Sequence, residues 1–174
     1  MQPVGSAYLI LSFMTTKTNA MRRLEQAGIS FELRTYVYDE ARFSAEDTAA
    51  QLGMAQETVF KTLLTRSDRN SYLFALVPAG CELDLRALAA AAGVKRVEMV
   101  SPRELVALTG YERGAVTVLA ARHAYPVFAD ETLLLWPRVA VSAGAHGLQL
   151  ALAPEDLVRI SHAATADIAV SSKP

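Results

Sequence analysis

The sequence predicts an α+β fold: a mixed, largely antiparallel sheet that curls, with helices packed outside it. Three observations predict it. Short apolar runs, several rich in β-branched and aromatic residues, alternate with brief polar turns, as in strands joined locally. Segments with helical spacing and cap residues are few and interspersed among those runs. No linker, repeat or low-complexity tract divides the 174 residues, a length that suits one domain with a sizeable core.

The elements follow in order. A helix is predicted from Thr18 to Ala27, striped by Ala20, Met21, Leu24 and Ala27 and stopped by Gly28. Phe31 to Tyr38 reads as a strand. Ser44 caps a second helix, with Asp47 three positions on, and Gly53 ends it. Val59–Thr65 and Tyr72–Val77 form a hairpin around the polar turn Ser67–Ser71. Asp84 caps a helix from Leu85 to Ala92 that stops at Gly93. Val97–Val100 is a short strand, and Ser101-Pro102 with Glu104 starts a helix ending at Gly110. The second half is strand-rich: Ala115–Leu119, Pro126–Asp130, Arg138–Ser142 and Leu148–Leu152, then a short helix from Pro154 to Ile160.

Composition excludes several classes. A net charge of −1 gives no global positive field, so a DNA-binding role is not indicated and any RNA contact must be local. The single Cys81 forms no internal disulfide and fits a reducing compartment, so a cytoplasmic location is expected. His123, His146 and His162 are far apart, and no metal or cofactor motif is present. No apolar stretch reaches the roughly 18 residues of a membrane span. Residues 1–13 lack a positive start and a cleavage site, so they read as a tail or an upstream alternative start, ahead of a domain over residues 14–170.

Conventional catalytic signatures are missing. There is no nucleophile elbow, HExxH, P-loop or dinucleotide fingerprint. Cys81, in a loop after Pro78-Ala79-Gly80, has no nearby His and reads as a packing residue. His146 reads as a loop histidine, and Asp39-Glu40 and Asp130-Glu131 as solvated turn acids. The exception is Lys61, inside the apolar run Val59-Phe60-Lys61-Thr62-Leu63-Leu64. A buried ammonium costs several kcal/mol unless compensated. On chemistry alone Lys61 reads as an edge-strand lysine, or one whose stem packs while its head reaches water. The other reading aims it into a pocket that takes a carbonyl or an anion.

The run Val59–Leu64 resembles the central signature of the YbaK/ProX aminoacyl-tRNA editing domains. Further segments agree in order: Phe31–Tyr36, Leu83-Asp84-Leu85, Gly93–Met99, Thr109-Gly110-Tyr111 and Val141-Ser142-Ala143-Gly144. The resemblance runs from about Met14 to Ile168 and is strongest to the free-standing YbaK type. It implies a curved, barrel-like sheet with flanking helices, and hydrolytic removal in trans of an amino acid from a mischarged tRNA. For the YbaK type the substrate is Cys-tRNA(Pro), whose own thiol attacks the ester, so no protein nucleophile is required. The implied partners are the tRNA 3′ end and prolyl-tRNA synthetase, and no cofactor is implied.

The resemblance also implies roles. Lys61 would hold the terminal nucleotide and polarise the ester carbonyl, and Gly114 would present backbone N–H groups to the carbonyl oxygen. Tyr36 and Phe43 would line the pocket. Thr62 would contact the substrate or terminal adenosine, and Ser142 with Gly144 would meet the aminoacyl group. For Lys61 this reverses the preference for an edge role. The chain departs from the pattern at Gly114-Ala115-Val116-Thr117-Val118-Leu119-Ala120, where the family reads like G-G-x-S-P-x-G. It departs again at Ala145-His146, where a Lys-Arg pair is usual. Two alternatives follow: an editor of Ala-tRNA(Pro) or another small aminoacyl-tRNA, and a homologue that binds tRNA or a synthetase without hydrolysis.

Overall fold

The computed structural model describes residues 16–172, so the tail expected over residues 1–13 lies outside the described residues. Five helices and ten strands are described. They run α1 Asn19–Gln26, β1 Phe31–Thr35, α2 Ala45–Leu52, β2 Phe60–Ser67, β3 Tyr72–Pro78, β4 Cys81–Leu83, α3 Leu85–Ala92 and β5 Val97–Met99. The chain continues through α4 Pro102–Thr109, β6 Val127–Asp130, β7 Val139–Ser142, β8 Leu148–Leu152, α5 Pro154–Ser161, β9 Ala164–Ala166 and β10 Ala169–Ser171. Single 3-10 turns precede β2 and follow β6.

The α+β class holds, and the sheet is mixed and mostly antiparallel. It is divided and does not close. One sheet has the order β5-β2-β3-β6-β9, with β3–β6 and β6–β9 parallel. A second, antiparallel, has the order β1-β8-β7, and β4 pairs with β10. The isolated bridge Val59↔Ala140 joins the start of β2 to β7.

Strand β3 is buried on both faces, which its unbroken apolar run anticipates. Phe74 and Leu76 join a core with Leu24, Phe60, Leu150 and Leu157, while Leu73, Ala75 and Val77 pack with Leu88 and Ile168. The caps behave largely as expected. Ser44 Oγ accepts from Asp47 N at 3.0 Å, and Asp84 Oδ1 accepts from Arg86 N and Ala87 N at 2.9 and 3.0 Å. At α4 the Ser101 hydroxyl makes no cap bond. It donates to Glu104 Oε2 at 2.8 Å and holds that carboxyl below its usual pKa.

Three expectations need correction. Residues 115–119 are buried but form no strand. Side chains satisfy the end of this segment: Arg23 donates to Leu119 O at 2.6 Å and Leu119 N to Thr117 Oγ1 at 3.2 Å, and just beyond it the Tyr111 hydroxyl donates to Ala120 O at 2.8 Å. The first strand ends at Thr35 rather than Tyr38, because its partner β8 ends its pairing opposite Thr35. Asp130 is not a solvated turn acid. It is 1% exposed and accepts four hydrogen bonds, from Thr132 N, Thr132 Oγ1, Ile168 N and Ala169 N.

Candidate active site

The site begins with a gap beside β2. Strand β3 pairs along β2 from Phe60 to Arg66. On its other side β2 meets β7 only through Val59, and β5 only from Thr65 to Ser67, with one further bond from Val100 N to Leu64 O. The stretch Lys61–Leu63 is therefore paired on one side. Backbone groups of an antiparallel strand point alternately to its two neighbours. Val59 O and Leu64 O point to β3 and β5 respectively, so Thr62 turns its N–H and C=O toward the gap.

A cavity of about 510 Å3 fills this gap. Lys61, Thr62, Phe43, Gly114 and Ser142 all line it, so the fold gathers residues from four separated segments. Lys61 is half-buried, and its ammonium makes one long hydrogen bond, 3.4 Å, to Ala79 O. No carboxylate lies within 4.0 Å of it among the described residues. The edge position and the pocket position of Lys61 are the same place. Apolar side chains such as Val59, Leu63, Leu85 and Met99 form much of the remaining wall.

Tyr36 and Gly144 are not among the lining residues. Gly144 N donates to Ser142 Oγ at 3.1 Å, and a Cβ there would come within 3.1 Å of Tyr111. Gly144 thus shapes the turn that presents Ser142. The Tyr36 hydroxyl is buried and approaches Gln149 and Thr48 without reaching hydrogen-bond geometry with either. Burial raises its pKa, so it stays a neutral phenol.

Gly114 has φ +90, and a Cβ there would meet Phe43 Cε1 at 3.0 Å. The glycine lets the Phe43 ring close one end of the cavity. Gly114→Ala is expected to cost about 1–3 kcal/mol from backbone strain alone. It should also displace the ring. Thermal unfolding checks the first effect, and an unchanged melting temperature would contradict it.

Among the lining residues that the sequence reading missed, Gln149 and Arg113 matter most for binding. Gln149 is 6% exposed, pairs in register with Ser142, and its Oε1 has no hydrogen-bond partner. Its signal was available: a polar residue inside the apolar strand Leu148–Leu152, the same anomaly that marks Lys61. Arg113 adds a second cation to the wall. The buried Thr62 Oγ1 is also unpartnered. Each orphaned oxygen costs about 1–3 kcal/mol, so Gln149 and Thr62 together make a wall suited to a polar ligand.

Neither Cys81 nor any histidine lines this cavity. Burial, and then the nearby Asp130, pushes the Cys81 thiol above its ordinary pKa, which disfavours the nucleophilic thiolate. Glu46 and Glu82 border the cavity, but neither hydrogen-bonds a lining hydroxyl. No group of three or more His, Cys, Asp or Glu among the described residues is placed to hold a metal ion. No described helix is long and apolar enough to cross a membrane.

An α+β scaffold whose largely apolar cavity carries a lysine, unpartnered polar oxygens and no activated nucleophile has the features of an editing domain. The family comparison agrees: residues 39–160 match the aminoacyl-tRNA editing domain, and the chain belongs to that family. Its enzymatic class is therefore that of aminoacyl-tRNA editing by deacylation. The chain is 36% identical over 152 residues to a protein of Enterococcus faecalis provisionally named Cys-tRNA(Pro)/Cys-tRNA(Cys) deacylase EbsC, covering 87% of this chain and 93% of that one. It is 23% identical over 124 residues to YwhH of Bacillus subtilis, covering 71% and 78%. Its fold matches a crystal structure described provisionally as a trans-editing enzyme for prolyl tRNA synthetase. The TM-score is 0.74 at 22% identity, over 91% of this chain and 100% of that one.

Proposed function

We propose that this protein removes cysteine from Cys-tRNA(Pro) in trans, with the substrate's own thiol as nucleophile. The observation that carries this reading is the composition of the cavity: Lys61 with no carboxylate within 4.0 Å among the described residues, a second cation in Arg113, backbone and amide groups, two carboxylates that bond no lining hydroxyl, and no His or Cys. Such a wall binds and polarises an ester but activates no nucleophile of its own. The name of the Enterococcus faecalis relative favours the same substrate.

In this reading the ester carbonyl lies near Lys61, whose ammonium polarises it, with the Gly114 backbone facing the carbonyl oxygen. Ser142, Thr62 and Gln149 hold the aminoacyl group, and Phe43 closes over it. The substrate sulfur bonds to the carbonyl carbon, the bond to the ribose oxygen breaks, and the thiol proton passes to that oxygen. The tRNA leaves with a free hydroxyl, and water then opens the resulting thiolactone to cysteine. The protein supplies placement and charge, and prolyl-tRNA synthetase is the candidate source of the mischarged tRNA.

The test is a deacylation panel on tRNA(Pro) carrying Cys, Ser or Ala. Cysteine is expected to be released at least about tenfold faster than serine, because a hydroxyl is the weaker attacking group at neutral pH. Equal rates would replace the thiol mechanism with general editing of small amino acids, a reading that the largely apolar cavity also accommodates. No turnover above buffer with any ester would leave a binding homologue, consistent with the altered run Gly114–Ala120.

A further inference from the structure

A second cavity of about 450 Å3 adjoins the first and shares Phe43, Pro102 and Arg113 with it. We propose that it binds the base of the terminal nucleotide of the tRNA, packed against the Tyr38–His146 ring pair. The inference rests on the editing reading, because it names where the nucleoside lies once the aminoacyl ester occupies the first cavity.

Four observations converge. The Tyr38 and His146 rings are parallel, 3.8 Å apart with an interplanar angle of 3°, and Phe43 tilts against Tyr38 at 5.3 Å. The rings cover each other's inner faces, and an outer face of such a pair can stack on any base. His146 is pinned: Nε2–H donates to Arg113 O at 2.9 Å, which fixes that nitrogen as the donor, and Nδ1 lies 3.9 Å from Glu112 Oε2. The wall also carries Glu40 and Glu112 beside Arg113. Two carboxylates repel a phosphate but accept hydrogen bonds from an exocyclic amine or a ribose hydroxyl, so the wall favours a nucleoside over a phosphate. The volume falls within the roughly 300–1,000 Å3 of small-molecule sites.

This arrangement changes the meaning of the Ala145-His146 departure. The position that lacks a Lys-Arg pair supplies a stacking ring instead of charge. Recognition of the tRNA end then depends less on salt than it would with two added cations.

The experiment is a binding titration of the uncharged trinucleotide CCA, followed by NMR, against the same trinucleotide lacking its 3′-terminal base. CCA is expected to shift the ring resonances of Tyr38 and His146, and loss of the terminal base should weaken binding about tenfold. His146→Ala should weaken CCA binding by a similar factor. His146→Phe keeps a ring but loses the bond to Arg113 O, and should stay within about twofold of wild type. Equal binding of the two trinucleotides, shifts elsewhere, or a Phe variant as weak as the Ala variant would overturn the proposal. Binding needs no turnover, so its outcome is independent of the deacylation panel. A protein that binds CCA this way yet cleaves no ester keeps the nucleoside site and loses the proposed reaction. One that cleaves esters but ignores the terminal base loses only this site.

Discussion

Lys61→Ala is expected to lower the deacylation rate by about a hundredfold or more, the scale lost when a preorganised charge is removed from a developing oxyanion. The melting temperature should barely move. The ammonium makes only one long hydrogen bond, to Ala79 O, and no ion pair among the described residues, so its removal forfeits little. It also relieves the cost of holding a half-buried cation. Lys61→Arg should not restore the rate, because the planar guanidinium presents its charge differently from a compact ammonium. Paired rate and unfolding measurements decide the matter. A variant that melts far below wild type would make Lys61 structural, and one that retains its rate would remove it from the reaction.

The largest loss of stability is expected at Asp130. Its carboxylate ties the end of β6 to the following 3-10 turn through Thr132, and to the approach of β10 through Ile168 N and Ala169 N. Alanine there would strand three backbone N–H groups and a hydroxyl in a site that is 1% exposed. Hydrogen bonds to charged groups contribute about 1.5–3 kcal/mol each, and unmade buried donors cost on a similar scale, so a total of about 3 kcal/mol or more is expected. At about 2–4 °C per kcal/mol, the melting temperature should fall by about 6–12 °C. Asp130 does not line the cavity, so the rate per folded molecule should hold. Calorimetry and a rate normalised to folded protein test both halves.

The elements legible in advance were those whose evidence is local. Asp84 and Gly93 bracket α3 over Leu85–Ala92, and Leu148–Leu152 alternates with turn residues around it. Residues 115–119 misled because an apolar buried run carries the same pattern whether its backbone bonds to a strand or to side chains. Here Arg23, Tyr111 and Thr117 bond the end of the run and its next residue, and Arg23 reaches Leu119 O from 96 positions away, which no local pattern reports. Asp130 was misread for the same reason, since two of its donors lie on the far side of β9 in sequence. Strands β4, β9 and β10 have three residues each, too few for a period to register. In the site, Lys61 stood out as a cation in an apolar strand. Gln149 carried the weaker form of that signal, and the Tyr38–His146 pair carried none, because stacking joins residues that sequence keeps far apart.

The opening beside β2 exists because β5 is short. Val100 still bonds to Leu64, and then Ser101-Pro102 turns the chain into α4. Proline has no N–H to donate and a fixed φ, so the chain cannot continue along Lys61–Leu63. Pro102 borders both cavities. A residue that looks like routine helix punctuation is thus also a doorstop. Were a few strand-forming residues inserted ahead of it, they would zip onto the free edge and wall up the chamber, silencing the protein without touching any residue that meets the substrate.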